Sequence, residues 1–210
     1  MSIQLSKGAR QSLPEGLTKV DVGLGWDPID ISNVVKERKG LIGGLISKAE
    51  TQLAHIEKPN MDIDASCYLI DSNGKCINHV YFNNMSDSSN GIKLSGDDRT
   101  GSSSASGEDD ETIYIDLPSV KPNVEKIEIW ANIYNCESTH QHFGQVNNAF
   151  VRLVNRDTKQ ELCRYDLTDE YSNKTAIHMG TLYKKDGTWK FNAIGEGTYD
   201  KSISSIKSKY

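Results

Sequence analysis

The chain has 210 residues, a net charge of −5 and a hydrophobic fraction of 36%, enough for one modest core in a single unit with insertions. That balance excludes a nucleic-acid protein held by bulk positive charge. The opening MSIQLSKGARQSL has no apolar run of signal-peptide length, and no stretch approaches a membrane span. Cys67, Cys76, Cys136 and Cys163 show no CxxC spacing, so reduced, buried thiols and a cytoplasmic location are expected.

In chain order, LTKVDVGLGW (17–26) alternates apolar and polar residues with a period of two and ends in glycines, as a half-buried strand does. The next segment, 34–60, breaks that pattern. Leu41, Ile42, Leu45, Ile46, Ala49, Leu53 and Ile56 recur at helical spacing, and Pro59 marks a stop. This predicts a helix, weakened at its start by Gly40, Gly43 and Gly44, that covers one end of the fold. Its surplus of basic residues also suits a surface that docks on a partner or an anionic membrane. DASCYLI (64–70) and KCINHVYF (75–82) flank DSNG as a hairpin. ETIYIDL (111–117), KIEIWANIYN (126–135), AFVRLVN (149–155) and ELCRYDL (161–167) read as further strands. TLYKKDGTWKFNAIGEG (181–197) is the clearest hairpin, turning at Asp186-Gly187. About eight or nine short strands predict an all-β protein, an antiparallel β-sandwich of two sheets with a short helical insertion. Residues 1–197 form one domain with the insert at 28–60. DKSISSIKSKY closes the chain as a polar tail over 198–210, expected to be frayed or loosely docked.

The charge is local. SGDDRTGSSSASGEDDE (95–111) holds six carboxylates against Arg99, which accounts for the whole net charge and leaves the rest of the chain neutral. Like charges this close repel, and a cation offsets the repulsion with its own charge. Small residues fill the spacer, so its carbonyls can approach an ion, and acidic residues stand at both of its ends. Asp62 and Asp64 in NMDIDAS add a second pair whose side chains point to the same side of an extended strand. An oxygen-only set without Cys or His selects a hard cation, and the number of carboxylates suits calcium better than magnesium. The EF-hand pattern does not apply, because Arg99 and Ser102 stand where Asp or Asn and Gly are needed.

LTKVDVGLGWD (17–27), DIDASCYLID (62–71), YFNN (81–84), SGDDRTG with GEDDETIYIDL (95–117), HFGQVNNAFVRLVN (142–155) and RYDLTDEYSNKTAIHMGTLYKKDGTWKFNAIGEG (164–197) occur in this order. With them the chain resembles the TerD family of tellurium-resistance and stress-response proteins, in its longer-insert branch. The resemblance covers nearly everything except 28–60 and the tail. It implies a calcium-binding β-sandwich with one or two ions held between loops. Carried onto this sequence, the implied ligands are Asp62, Asp64, Asn83, Asn84, Asp97, Asp98, Asp109, Asp110 and Glu111. The SSSAS spacer is longer and poorer in glycine than the family pattern, which would weaken a second ion site.

The other motifs are read as structural. His140 and His142 lie two apart near Glu137 but lack a third strong zinc ligand. Trp26, Trp130 and Trp189 fall in strand patterns and are expected in the core. QVNNAF is expected to turn the chain. No nucleophile–base arrangement, phosphate-cradling loop or cofactor fingerprint appears, so neither an enzyme nor a small-molecule substrate is expected. The expected function is a calcium-binding module of a stress-response system acting through metal-dependent contacts with protein partners. The alternative is a calcium-dependent membrane-surface module using 34–60.

Overall fold

A computed structural model describes residues 2–28, 61–95, 108–167, 169 and 171–210. The amphipathic segment 34–60 therefore lies outside the described residues. Twelve strands are present among those that are described: β1 (Ile3–Gln4), β2 (Arg10–Ser12), β3 (Lys19–Pro28), β4 (Ile63–Ile70), β5 (Cys76–Val80), β6 (Ile92–Leu94), β7 (Glu111–Asp116), β8 (Lys126–Ile133), β9 (Val146–Asn155), β10 (Glu161–Asp166), β11 (Ala176–Lys185) and β12 (Thr188–Thr198). They form two six-stranded sheets, ordered β1-β10-β9-β3-β7-β6 and β2-β12-β11-β8-β4-β5. All pairings are antiparallel except β1 with β10.

The core follows from the period of two. Val20, Val22 and Leu24 of β3 and Ile113 and Ile115 of β7 point inward from the first sheet. Ile63, Ala65, Cys67 and Leu69 of β4 and Ile127 and Ile129 of β8 point inward from the second. The predicted hairpins form. Asp186 and Gly187 both adopt positive φ, 54° and 74°, the conformation a two-residue hairpin turn needs. The Asp71 carboxylate accepts from the amides of Asn73 and Lys75, and Gly74 closes that turn at φ 80°.

The shortest strands, β1, β2 and β6, have too few residues to show alternation and are not apparent in the sequence. β1 joins the first sheet and β2 the second. The link between them is fastened by Leu5 N–H to the Arg164 carbonyl and Gly8 N–H to that of Ala193, each at 2.7 Å.

The tail differs most from expectation. Two short helices follow from the described chain, α1 (Cys136–Thr139) and α2 (Ile203–Lys207). Helix α2 is capped by Ser202 and docks on the outer face of the second sheet. Ile206 is fully buried there against Tyr68, Ile70, Trp130 and Ala176. The Trp130 Nε1–H donates to the Tyr210 hydroxyl at 3.0 Å, and the Tyr68 hydroxyl donates to the Ile203 carbonyl at 3.2 Å. Trp26 is buried between the sheets as expected, whereas Trp130 is buried under the tail and Trp189 only partly.

Candidate metal centre

The acidic elements converge at one end of the sandwich, where β3 ends and β4 and β7 begin. Ser95 is hydrogen-bonded to Thr112 both ways. Its amide donates to the Thr112 carbonyl at 2.8 Å, and its hydroxyl accepts from the Thr112 amide at 2.9 Å. The two ends of the acidic stretch are thus held side by side, and residues 96–107, with Asp97 and Asp98, lie outside the described residues.

Three successive acidic residues then take three different directions. Asp109 lies on the outer face of the first sheet. Its carboxylate accepts from Arg152 Nε at 2.7 Å, and Arg152 Nη1 also reaches Glu161 at 3.3 Å. Burial pushes the Asp109 carboxyl above its ordinary pKa, against the opposing pull of Arg152. The carboxyl sits directly over Gly23, where a Cβ would come within 2.2 Å of it. At Gly25 a Cβ would meet the Phe150 ring at 2.3 Å. The two glycines of GLGWD therefore make room for the acidic loop and for an aromatic ring, not for a phosphate.

Asp110 extends the ladder beyond the first rung of β7. Its amide donates to the Leu24 carbonyl at 2.8 Å, and its carboxylate accepts from the Trp26 amide at 2.7 Å. Glu111 points inward and is almost completely buried. Its Oε2 accepts from the Ala65 amide on the opposite sheet at 2.6 Å, at a level that β5 does not reach because its pairing with β4 starts at Cys67. Charge-assisted bonds to backbone amides fix both carboxylates.

Asp64 is buried on the outer face of the second sheet, in register with Asn132 of β8. Asp62 precedes β4, and its carbonyl accepts from the Tyr134 amide. Asn83 is exposed in the turn after β5, and the Asn84 side-chain amide donates to the His79 carbonyl at 2.6 Å. Among the described residues, no three His, Cys, Asp or Glu side chains gather closely enough to hold a metal.

Two side chains at this end were not singled out from the sequence. Asp27 accepts from the Asn148 amide at 2.9 Å, with Asn148 at φ 53°. Its signal was the Asp that closes GLGWD. Asn132 had none, because a lone Asn in a strand gives no spacing to read. His142 proves structural, its Nδ1 accepting from the Gly144 amide to cap the turn Phe143–Gln145. All four cysteines are free, and all but Cys76 are buried.

A family model described as the TerD domain matches residues 1–210. The chain is 40% identical to the uncharacterized protein YceE of Bacillus subtilis (strain 168), over 94% of this chain and 92% of that protein. It is 38% identical to the stress response protein SCP2 of the same organism, over the full length of both. With the tellurium resistance protein TerD of Serratia marcescens it shares 35% identity, over 100% of this chain and 97% of the other. A crystal structure of a homologue of telluride resistance protein (TerD) from Streptomyces coelicolor A3(2) superposes with a TM-score of 0.65 at 19% identity, covering 90% of this chain and 95% of that one.

Proposed function

The chain belongs to the TerD domain family, and on that footing we propose that it is a non-catalytic, calcium-binding module of a stress-response system of the tellurite-resistance type. It acts through metal-dependent contacts with protein partners in the cytoplasm. The observation that carries this reading is the closure of the acidic stretch on itself. The Ser95–Thr112 pair returns the chain to Asp110 and Glu111, which are held in place by backbone amides of β3 and β4.

The donor chemistry fits a hard cation, since every side chain offered is a carboxylate or an amide. Asp110, Glu111, Asp62 and Asp64 would supply protein oxygens, joined by Asp97 and Asp98 from the adjoining stretch and by Asn83 and Asn84 amides. The described side chains do not make a complete site by themselves, so the reading requires oxygens from residues 96–107. Asp109 is assigned to Arg152 instead, as the anchor that holds the loop to the outer face. Bound calcium would supply positive charge that lets these oxygens share one end of the sandwich. The free thiols agree with a reducing compartment.

Protein freed of metal by chelation, then titrated with calcium by calorimetry and followed by melting, tests the proposal. Binding is expected to stabilise the fold by about 2.7 kcal/mol at a hundredfold excess over the dissociation constant. Glu111→Gln and Asp110→Asn should each abolish most of that gain. No heat and no stabilisation at millimolar calcium would end the reading.

A further inference from the structure

The tail covers only part of the outer face of the second sheet. On the same face an open cavity of about 410 Å³ is built on β2, β12, β11 and β8. Arg10, Asn192, Thr181 and Glu128 stand in one cross-strand row through it. Asn192 Oδ1 is buried, and among the described residues no donor reaches it. A buried amide oxygen without a donor is costly and points to a ligand that brings one.

The rim is cationic. Arg10, Lys126 and Lys185 line the cavity and are exposed. Among the described residues none of these three forms an ion pair. The carboxylate among the lining residues, Glu128, is already engaged, because the Thr181 hydroxyl donates to it and His178 Nε2 lies 2.8 Å away. Neighbouring strands lie about 4.8 Å apart, which puts Arg10 on β2 about 14 Å from Glu128 on β8. Glu196, in register with His178, is exposed and stands outside the lining. Tyr183 and Ile194 supply an apolar wall, which the carbon stems of the lysines extend.

We propose that this cavity binds a small organic acid that carries a hydroxyl group. The rim cations hold its carboxylate, its hydroxyl donates to Asn192 Oδ1, and its carbon body lies on Tyr183 and Ile194. Arg10 brings the planar fork that matches a carboxylate. A hydroxyl supplies the missing donor without adding charge. A cationic ligand would face the like charges of the rim, and an inorganic anion would leave the apolar wall uncovered. Ligand pockets combine such apolar walls with a few placed polar groups. No sequence motif announces the site, since its residues come from four strands.

The proposal goes beyond the calcium reading and shares no residue with it, so either can fail alone. The full-length protein is titrated calorimetrically at about 150 mM salt, where exposed charges are screened beyond about 8 Å. The probes are 4-hydroxyphenylacetate, phenylacetate, which lacks the hydroxyl, and tyramine, which carries an ammonium in place of the carboxylate. Saturable binding of 4-hydroxyphenylacetate and none of tyramine are expected. Phenylacetate should bind about three- to tenfold more weakly, the loss of one hydrogen bond. Asn192→Leu should remove that difference. Arg10→Met and Lys126→Met, both at exposed positions, should each weaken 4-hydroxyphenylacetate by about two- to fivefold. They keep the site testable if Asn192→Leu fails to fold. Absence of saturable binding, equal affinity for tyramine, phenylacetate as tight as the hydroxylated acid, or a folded variant without its expected effect overturns the proposal.

Discussion

The outward faces of the two sheets arise from the same alternation of side chains but are finished differently. On the first sheet, outward positions carry paired charges: Asp21 with Arg156 at 2.5 Å, Asp109 with Arg152, and, along β10 itself, Arg164 with Asp166 at 2.6 Å. Aromatic rings lie beneath them, with Arg156 over Tyr114 and Arg164 over Phe150. On the second sheet, Tyr68, Ile70 and Trp130 face outward and are covered by the tail. The first face is only partly solvated, and its part-buried pairs each contribute modestly. The second makes the fold depend on residues far along the chain.

The widest gap between the faces should appear on deleting apolar contact under the tail. Ile206→Ala removes a fully buried side chain, and denaturant unfolding should show a loss of about 2–5 kcal/mol. An unchanged midpoint would mean that the tail does not hold the second sheet.

Next in size is the polar centre of that same face. A bulge at Met179 shifts the register of β11 on β8, so that His178 and Thr181 both face outward and flank Glu128. His178 Nε2 lies 2.8 Å from Glu128 and its ring stacks on Trp130, while the Thr181 hydroxyl donates to the same carboxylate. Burial raises the Glu128 pKa, but the bonds from His178 and Thr181 outweigh it and hold the carboxyl below its ordinary value. A carboxyl depressed in the fold stabilises at neutral pH, and that contribution fades as the pH falls through the folded value. Glu128→Gln should therefore cost about 1.5–3 kcal/mol at pH 7, with the difference from the parent closing in acid. A pH-independent difference would show that charge plays no part.

The smallest effect belongs to the first face. Arg152→Met leaves Asp109 half-buried without its cation, at a cost of about 1 kcal/mol at pH 7. Because burial raises the Asp109 pKa in the fold, acid should restore stability to this variant as Asp109 takes a proton. Asp109→Asn in the same background should recover part of the loss, which a double-mutant cycle would measure.

Alternation and turn residues made the sandwich legible, because inward positions repeat every second residue and Asp-Gly and Asn-Gly mark reversals. The outward apolar positions Tyr68, Ile70 and Trp130 were not read as a second buried surface, and Trp130 was expected in the core. Their cover was harder to see, because α2 offers only Ile203 and Ile206 in a serine-rich setting. The acidic cluster was legible as charge but not as direction. Asp109, Asp110 and Glu111 are consecutive, yet one pairs with arginine outside, one continues a ladder and one spans to the opposite sheet. Each destination depends on partners more than 40 residues away along the chain. Asp87 shows the same limit: it is buried, but its carboxylate is taken up by the amides of Ser89 and Ile92 in a turn.

The clasp formed by β1 and β2 bears on how the protein is made. Residues 3–12 leave the ribosome well before their partners in β10 and β12, the pairing being separated by most of the described chain. Such distant pairings close slowly. Until they do, β10 and β12 each present an uncovered row of amides and carbonyls that another nascent copy can use. A cell producing this chain in bulk would gain most from a chaperone acting late in translation.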